Sequence, residues 1–155
     1  DLAAVAAPNG ETIYGEPEIF DQRPSQPPSM VRILSPFDNS IIQRARTQVI
    51  HDFDYRLECY VTSAQRKWGY FCLPILFRDK FVGRMDCKAH RDERIFEIKQ
   101  LHIEDSLTAN FDAAFAVAVW DYASYNHCNA VKVTRVSPRS YSSRFKRCLT
   151  HTPNI

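Results

Sequence analysis

Four segments with strand-like patterns lie close together in the middle of the sequence, and they constrain the fold more than any other feature. They comprise residues 55–61, 68–77, 81–87 and 94–104. The first alternates between polar and apolar side chains, whereas the second is almost wholly apolar, as in a strand covered on both faces. Because tight connections join antiparallel strands, the segments predict an antiparallel sheet that curls into a barrel-like domain.

Two of these segments contain irregularities. Pro74 lacks a backbone N–H, so its strand requires a bulge or an unpaired edge at that point. The alternation in the last segment changes phase between Ile98 and Leu101, which predicts a β-bulge.

A charge pattern marks the third segment. Arg84, Asp86 and Lys88 alternate and should project from one face of the sheet. This order favours a surface ion-pair ladder, worth about 1 kcal/mol or less. If the ladder has a function, Lys88 is its outermost member and is free to contact a phosphate.

Helical patterns flank the strands, so the fold class is α+β. Asp38 offers an N-cap for a helix over residues 40–50, and Asp105 or Ser106 caps a long helix that ends near Asn126. The apolar faces of these two helices are Ile41, Ile42, Ala45 and Val49, and Leu107, Phe111, Phe115, Ala118 and Tyr122. Val131, Val133 and Val136 indicate a last short strand, and Pro138 opens a final helix.

The first thirty residues differ in character from the rest. Residues 2–14 predict a β-hairpin around Pro8-Asn9-Gly10, and this hairpin has no core of its own. Residues 15–30 are rich in proline and predict a linker without helix or strand. We therefore divide the chain into residues 1–14, a linker over 15–30, and a main domain over 31–155.

Charge is distributed unevenly along a chain whose formal net charge is only +2. Residues 1–31 hold five acidic residues and one basic residue, whereas residues 122–155 hold six basic residues and no acidic one. A basic terminal segment is typical either of a surface that meets phosphates or of a solvated helix face.

The residue inventory argues against a metal site, a cofactor site and a self-contained active site. The five cysteines form no CxxC pair, which favours a reducing compartment such as the cytoplasm. Cys87 and His90 are the only pair with useful ligand spacing, and a structural zinc site needs four ligands. The four glycines form no phosphate-binding loop, and no apolar run is long enough to span a membrane.

Basic residues beside aromatic residues form three small clusters. They are Arg44 and Arg46 on the short helix, Arg66 and Lys67 before Trp68, and Lys88 and Arg91 around a hairpin tip. Such mixtures are what phosphate tracking and base stacking require, although single clusters of this kind are common on any protein surface.

Four ordered motifs resemble the C-terminal part of the YcaQ/AlkZ-like winged-helix DNA glycosylases. They are LSPFDN at 34–39, FDYRLE at 53–58, GYFCLPIL at 69–76 and VGRMDCK at 82–88. The resemblance covers about residues 31–104, with a weaker match in the long helix and last strand. The sequence departs from the family at His90, where relatives commonly have an acid.

The resemblance implies a bacterial, cytoplasmic DNA-repair enzyme that needs no metal. Such proteins have tandem winged-helix modules followed by a barrel-like domain, enclose duplex DNA, and hydrolyse the N-glycosidic bond of alkylated or crosslinked bases. Residues 2–14 then correspond to the wing of a preceding module. The family's catalytic triplet, Gln-hydrophobic-Gln or Gln-hydrophobic-Asp, is absent, because Gln43, Gln48 and Gln100 lack a partner two positions on.

These observations predict the DNA-binding, C-terminal portion of such a glycosylase, inactive alone and without catalytic residues of its own. Its expected partners are damaged duplex DNA and the upstream winged-helix modules. Because the three basic clusters lie inside the matching region, we expect contacts to DNA phosphates from Arg44, Arg46, Arg66, Lys67, Lys88 and Arg91. The alternative is a non-catalytic nucleic-acid-binding or protein-interaction module with the same fold.

Overall fold

The main feature of the fold is a five-stranded sheet. The computed structural model describes residues 2–7, 9–21, 26–108 and 110–150. The strands, in their order across the sheet, are β3 (Val31–Ile33), β4 (Cys72–Phe77), β5 (Lys80–His90), β6 (Ile95–Ile103) and β7 (Ala130–Ser137). With the helices below, they confirm the predicted α+β class.

The sheet is mixed and open, which corrects the expectation of an antiparallel barrel. Strands β3 to β6 pair antiparallel, but β7 pairs parallel to β6. Helix α4 (Phe111–Tyr125) connects β6 to β7, and such a helical crossover returns the chain in the same direction. In the described part of the chain, β3 and β7 remain the two edges of the sheet.

One face of the sheet packs against α4 and α5 (Ser142–Cys148). Phe96 and Leu101 of β6 are buried there, as are Phe111, Phe115 and Phe145 of the helices. The rings of Phe115 and Phe145 meet edge to face with centroids 5.4 Å apart. This cluster is the main core, because large apolar side chains dominate burial energetics.

Among the residues that the structure describes, those on the opposite face cover β3, β4 and part of β5. Phe53, Tyr55 and Phe81 pack there with Ile41 of α2 (Asn39–Ile42) in a second, smaller core. We call residues 53–71 the covering segment. The Tyr55 hydroxyl donates to the Cys72 carbonyl at 2.8 Å and so ties this segment to β4.

The predicted strand over 55–61 is wrong. These residues pair with no strand of the sheet. Tyr55 and Glu58 are the two buried residues among them, whereas alternation predicts that the apolar side chains would be buried. The segment follows Asp52, whose φ of 47° ends the preceding helix, and side-chain contacts with the sheet replace backbone pairing. Alternation alone did not reveal that the chain crosses over the sheet.

The helix predicted over 40–50 is broken at Gln43. Asp38 is its N-cap as expected, since its side chain accepts from the Ser40 N–H at 2.8 Å. Helix α3 (Arg44–His51) then begins a new axis, and its buried residue is Thr47, not the predicted Ala45 or Val49. The Thr47 hydroxyl can donate to the Ser40 carbonyl at 2.8 Å, which joins the two helices.

The N-terminal region agrees with the sequence predictions for the hairpin but not for the whole linker. The hairpin is confirmed as β1 (Ala3–Ala6) and β2 (Thr12–Gly15), although Pro8 lies outside the described residues. The linker contains a short helix, α1 (Pro17–Asp21), because proline is well tolerated at a first helical position. Residues 22–25 of the linker lie outside the described residues.

The long helix and the last elements are largely as predicted. Helix α4 begins at Phe111 instead of near Ser106, and a 3-10 turn at Arg139–Tyr141 precedes α5. Pro74 lies just beyond the end of the β3–β4 pairing, because β3 ends at Ile33. On this side of β4 only the Pro74 carbonyl is needed, and it accepts from the Leu34 N–H.

Candidate nucleic-acid interface

The described residues leave the second sheet face open over β6, β7 and the end of β5, and this part of the face is basic. Because Phe96, Ile98 and Leu101 point into the main core, the alternate residues of β5 to β7 project from the other side. We define the open face by Lys88, His90, Glu97, Lys99, Gln100, His102, Lys132, Thr134 and Arg135. It carries four Lys or Arg residues and one acid.

A β-bulge adds Lys99 to this face. Asp86 pairs with Gln100 and Cys87 pairs with Ile98, so Lys99 is the extra residue on β6. This confirms the bulge predicted from the phase change. A bulge re-aims a side chain, and here Lys99 and Gln100 line the same depression although they are neighbours in the strand.

That depression is a groove of about 420 Å³ at the end of the open face next to the covering segment. We define the groove by Arg66, Trp68, Tyr70, Lys99, His102 and Arg135, which line it together with smaller residues. Arg66, Trp68 and Tyr70 precede β4 and form one side of the groove, which we call the wall. The other three residues belong to β6 and β7.

Two buried carboxylates hold the wall in place. Glu58 accepts from the backbone N–H groups of Lys67, Trp68 and Gly69 at 3.0, 2.7 and 3.2 Å. Asp86 accepts from the next two N–H groups along the chain, those of Tyr70 and Phe71. Burial raises the pKa of Glu58, but the three N–H donors outweigh this effect and leave its pKa below the ordinary value.

Behind the wall lies a buried arginine. Arg84 is 1% exposed, and its guanidinium is within 4.4 Å of the ring centroids of Phe53 and Trp68. It donates to both carboxylate oxygens of Glu104, at 2.5 and 2.9 Å, and to the Asp54 carbonyl. The charge-assisted hydrogen bonds to Glu104 hold the guanidinium in place, and the guanidinium in turn positions the Trp68 ring through a cation–π contact.

This geometry corrects the predicted ion-pair ladder. Arg84, Asp86 and Lys88 do share a face, but the covering segment buries the first two. Arg84 pairs with Glu104, which directly follows β6, and Asp86 accepts from backbone N–H groups. Lys88 is exposed, and among the described residues it has no ion-pair partner.

His102 supports the wall from the sheet. Its Nε2 lies 3.1 Å from the Trp68 carbonyl, which can only accept, so Nε2 carries the proton. Burial lowers the pKa of His102, and the charges of Arg84 and Arg135 lower it further. The imidazole is thus a neutral donor at pH 7.

The single acid of the open face is fully engaged. Glu97 accepts from the Thr134 hydroxyl at 2.7 Å and lies 3.0 Å from His90 Nε2 and 3.4 Å from Lys132 Nζ. The hydrogen bonds from Thr134 and His90 lower the pKa of Glu97 to about 2. Glu97 therefore neutralises Lys132 but leaves the charges of Lys88, Lys99 and Arg135 uncompensated.

The structure brings together only part of the predicted DNA-binding set. Arg66 and Lys67 lie on the wall and Lys88 lies on the open face, whereas Arg91 sits at the β5–β6 turn and donates to Asn126. Arg44 and Arg46 lie on α3, where their guanidinium groups bond to backbone carbonyls of α2.

Sequence reasoning missed Lys99, Lys132 and Arg135 as members of one surface. Lys132 and Arg135 belong to the basic terminal segment, whose charge was noticed, but parallel pairing of β7 with β6 is what places them beside Lys99. The bulge itself was visible in the sequence and could have assigned Lys99 to this face.

The fold, the open face and the groove define an α+β domain with a basic sheet surface and with aromatic residues on the wall beside it. A family model described as DNA glycosylase AlkZ-like matches residues 1–125. The chain therefore belongs to the AlkZ-like DNA glycosylase family, which confirms the resemblance seen in the motifs. No solved structure matches the chain. No helix in the described part of the chain is long and apolar enough to cross a membrane.

Proposed function

We propose that this chain holds duplex DNA on its open face within a DNA-repair glycosylase that removes alkylated or crosslinked bases. Membership of a DNA glycosylase family supports a role in DNA repair by hydrolysis of N-glycosyl bonds. The open face supplies the observation that carries the DNA-holding role.

That observation is the uncompensated positive charge on an exposed sheet. Lys88, Lys99 and Arg135 come from three adjacent strands, and none has an ion-pair partner among the described residues. Cations fixed on a rigid sheet bind a row of phosphates and release counterions, which drives DNA affinity. Arg66 and Lys67 extend this surface along the wall, whereas Arg91, whose guanidinium donates to Asn126 at the end of α4, remains a predicted contact at the hairpin tip.

Base excision itself is assigned to groups that this sequence does not contain. The family's Gln-hydrophobic-Gln or Gln-hydrophobic-Asp triplet has no counterpart here. We place it in upstream winged-helix modules, with residues 1–14 as a wing, 15–30 as the linker and 31–155 as the DNA-holding domain. The exposed side chains of Leu2, Ile13 and Tyr14 on the hairpin suit contact with such a module, and they equally favour the alternative of a protein-interaction module.

The test is duplex binding across a salt series. We compare Lys88→Ala/Arg135→Ala with a control of equal charge change, Lys146→Ala/Arg147→Ala, on α5. Each lost phosphate contact should reduce the slope of log K against log salt by about 0.9, so the first variant should lose about 1.8 and the control nothing. Equal slopes in both variants would overturn the proposal for the open face.

Two further arms use the same assay. Arg44→Ala/Arg46→Ala tests whether the α3 arginines, already bonded to carbonyls, contact phosphates at all. Incubation with alkylated duplex should release no base, because the chain holds the DNA without cleaving it. Release of a base would show that the chain has a catalytic site of its own.

A further inference from the structure

We propose that the groove binds one unpaired nucleotide of a DNA strand, with its phosphate at Lys99 and Arg135 and its base stacked on Tyr70. The inference rests on the proposed function, because its ligand is DNA. The inference goes beyond the proposed function because it assigns the groove to a nucleotide that has left the duplex stack.

The phosphate end of the groove follows from its charges. Arg66, Lys99 and Arg135 reach it from three separate parts of the chain, and none is in an ion pair with a described residue. Asp86 is the one acid in the groove lining, and both its oxygens already accept backbone N–H groups at 3.1 and 3.2 Å. Three cations outnumber one carboxylate whose two oxygens are already engaged, and this excess of positive charge makes the groove an anion site.

The base end follows from Tyr70. Its side chain is 51% exposed, and the Arg66 guanidinium carbon packs over one face of its ring, 4.8 Å from the ring centroid, so the base would stack on the other face. Backbone hydrogen bonds to Asp86 hold Tyr70 at the groove, so an aromatic platform is present before any ligand arrives. Base stacking on such a platform contributes about 1–3 kcal/mol and tolerates any base.

The shape of the site selects an unpaired nucleotide over a duplex. A volume of about 420 Å³ lies in the range of small-molecule sites, which is roughly 300–1,000 Å³. Bases inside a duplex expose only their edges, since their faces are stacked on each other. A platform beside a phosphate site can therefore be used only by a base that has left the stack.

The experiment compares an intact duplex with the same duplex carrying a short single-stranded gap, by fluorescence anisotropy at one salt concentration. The chain should bind the gapped DNA about tenfold more tightly. Tyr70→Ala should remove this preference and leave the affinity for intact duplex unchanged. Tyr70→Phe should keep the preference, since the ring remains, and this result also shows that the position tolerates substitution.

Tyr125→Ala is the matched control, because Tyr125 is 84% exposed at the end of α4. It should bind both DNAs as the unsubstituted chain does. Equal affinity of the unsubstituted chain for the two DNAs, or an equal loss on both with Tyr70→Ala, would overturn the inference while the proposed function stands. Absence of binding to either DNA would overturn the proposed function as well.

Discussion

Gly69 shows how one residue shapes the wall of the groove. Its φ is +147°, a conformation that side chains rarely adopt, and a Cβ built there would lie 2.5 Å from Asp86 Cβ. Only glycine lets the backbone approach the carboxylate that fixes Tyr70 and Phe71.

Replacement of Gly69 by alanine should therefore destabilise the domain by about 2–4 kcal/mol, since backbone strain and a steric clash combine. The free energy of unfolding in urea measures the effect. Gly10→Ala is the control, because Gly10 also has positive φ (+84°) but nothing within 4 Å of its added Cβ. Comparable losses in the two variants would refute the role of the Asp86 contact.

Glu58 is a second single residue that stabilises the wall, because its carboxylate accepts three backbone N–H groups. Glu58→Gln keeps the shape but removes the charge, and it should lower the free energy of unfolding by about 1–3 kcal/mol at pH 7. Because the folded pKa is lowered, the carboxylate contributes fully above its unfolded pKa, and the contribution is lost as pH falls through the folded pKa. The difference from the unsubstituted chain should therefore shrink in acid.

Glu93→Gln provides a matched control for that measurement, since Glu93 is exposed in the β5–β6 turn. It should change stability little at any pH. A deficit for Glu58→Gln that stays constant from pH 7 to strongly acidic conditions would contradict the N–H donor explanation.

At the scale of elements, the sequence predicted individual strands better than their assembly. The hairpin, the Asp38 cap, the bulge near Lys99 and the end of α4 all depend on local signals, and the structure confirms them. The parallel pairing of β7 depends on where α4 returns the chain, which no local pattern encodes. The same holds for the groove, whose wall and floor come from distant segments.

Glu97 joins three strands, since its partners His90 and Lys132 lie on β5 and β7. We expect Glu97→Gln to lower the free energy of unfolding by about 1 kcal/mol at neutral pH. The folded pKa is about 2 against an ordinary value of 4.5, so this contribution is present above pH 4.5 and disappears as pH falls toward 2. Urea unfolding at several pH values checks the window, and a deficit that grows in acid would contradict it.

For the molecule as a whole, the five free cysteines report on packing. Burial raises the pKa of the Cys72 thiol. It also raises the pKa of Cys87 to about 12 and the pKa of Cys148 to about 11. Cys128 is buried. Cys59 lies in a partly exposed turn. Thiolate is the reactive form, so accessible, ionisable thiols are labelled first.

Iodoacetamide at pH 8 should therefore modify Cys59 in the folded protein and the other four cysteines only after unfolding. Peptide mass spectrometry against time measures the order, and Cys59→Ser should abolish the fast phase. Rapid modification of Cys87 in the folded chain would show that the β5–β6 surface opens more readily than the packing indicates.

The two sides of the groove also carry a consequence for the order of folding. Strands β4, β5 and β6 follow one another through short turns, so their contacts are local and form early at low entropic cost. Arg66 precedes this meander and Arg135 follows it, so the groove exists only after the long crossover through α4 has closed. Binding of a ligand in the groove therefore requires completed folding. A nascent chain that does not yet include β7 contains the meander but not the groove.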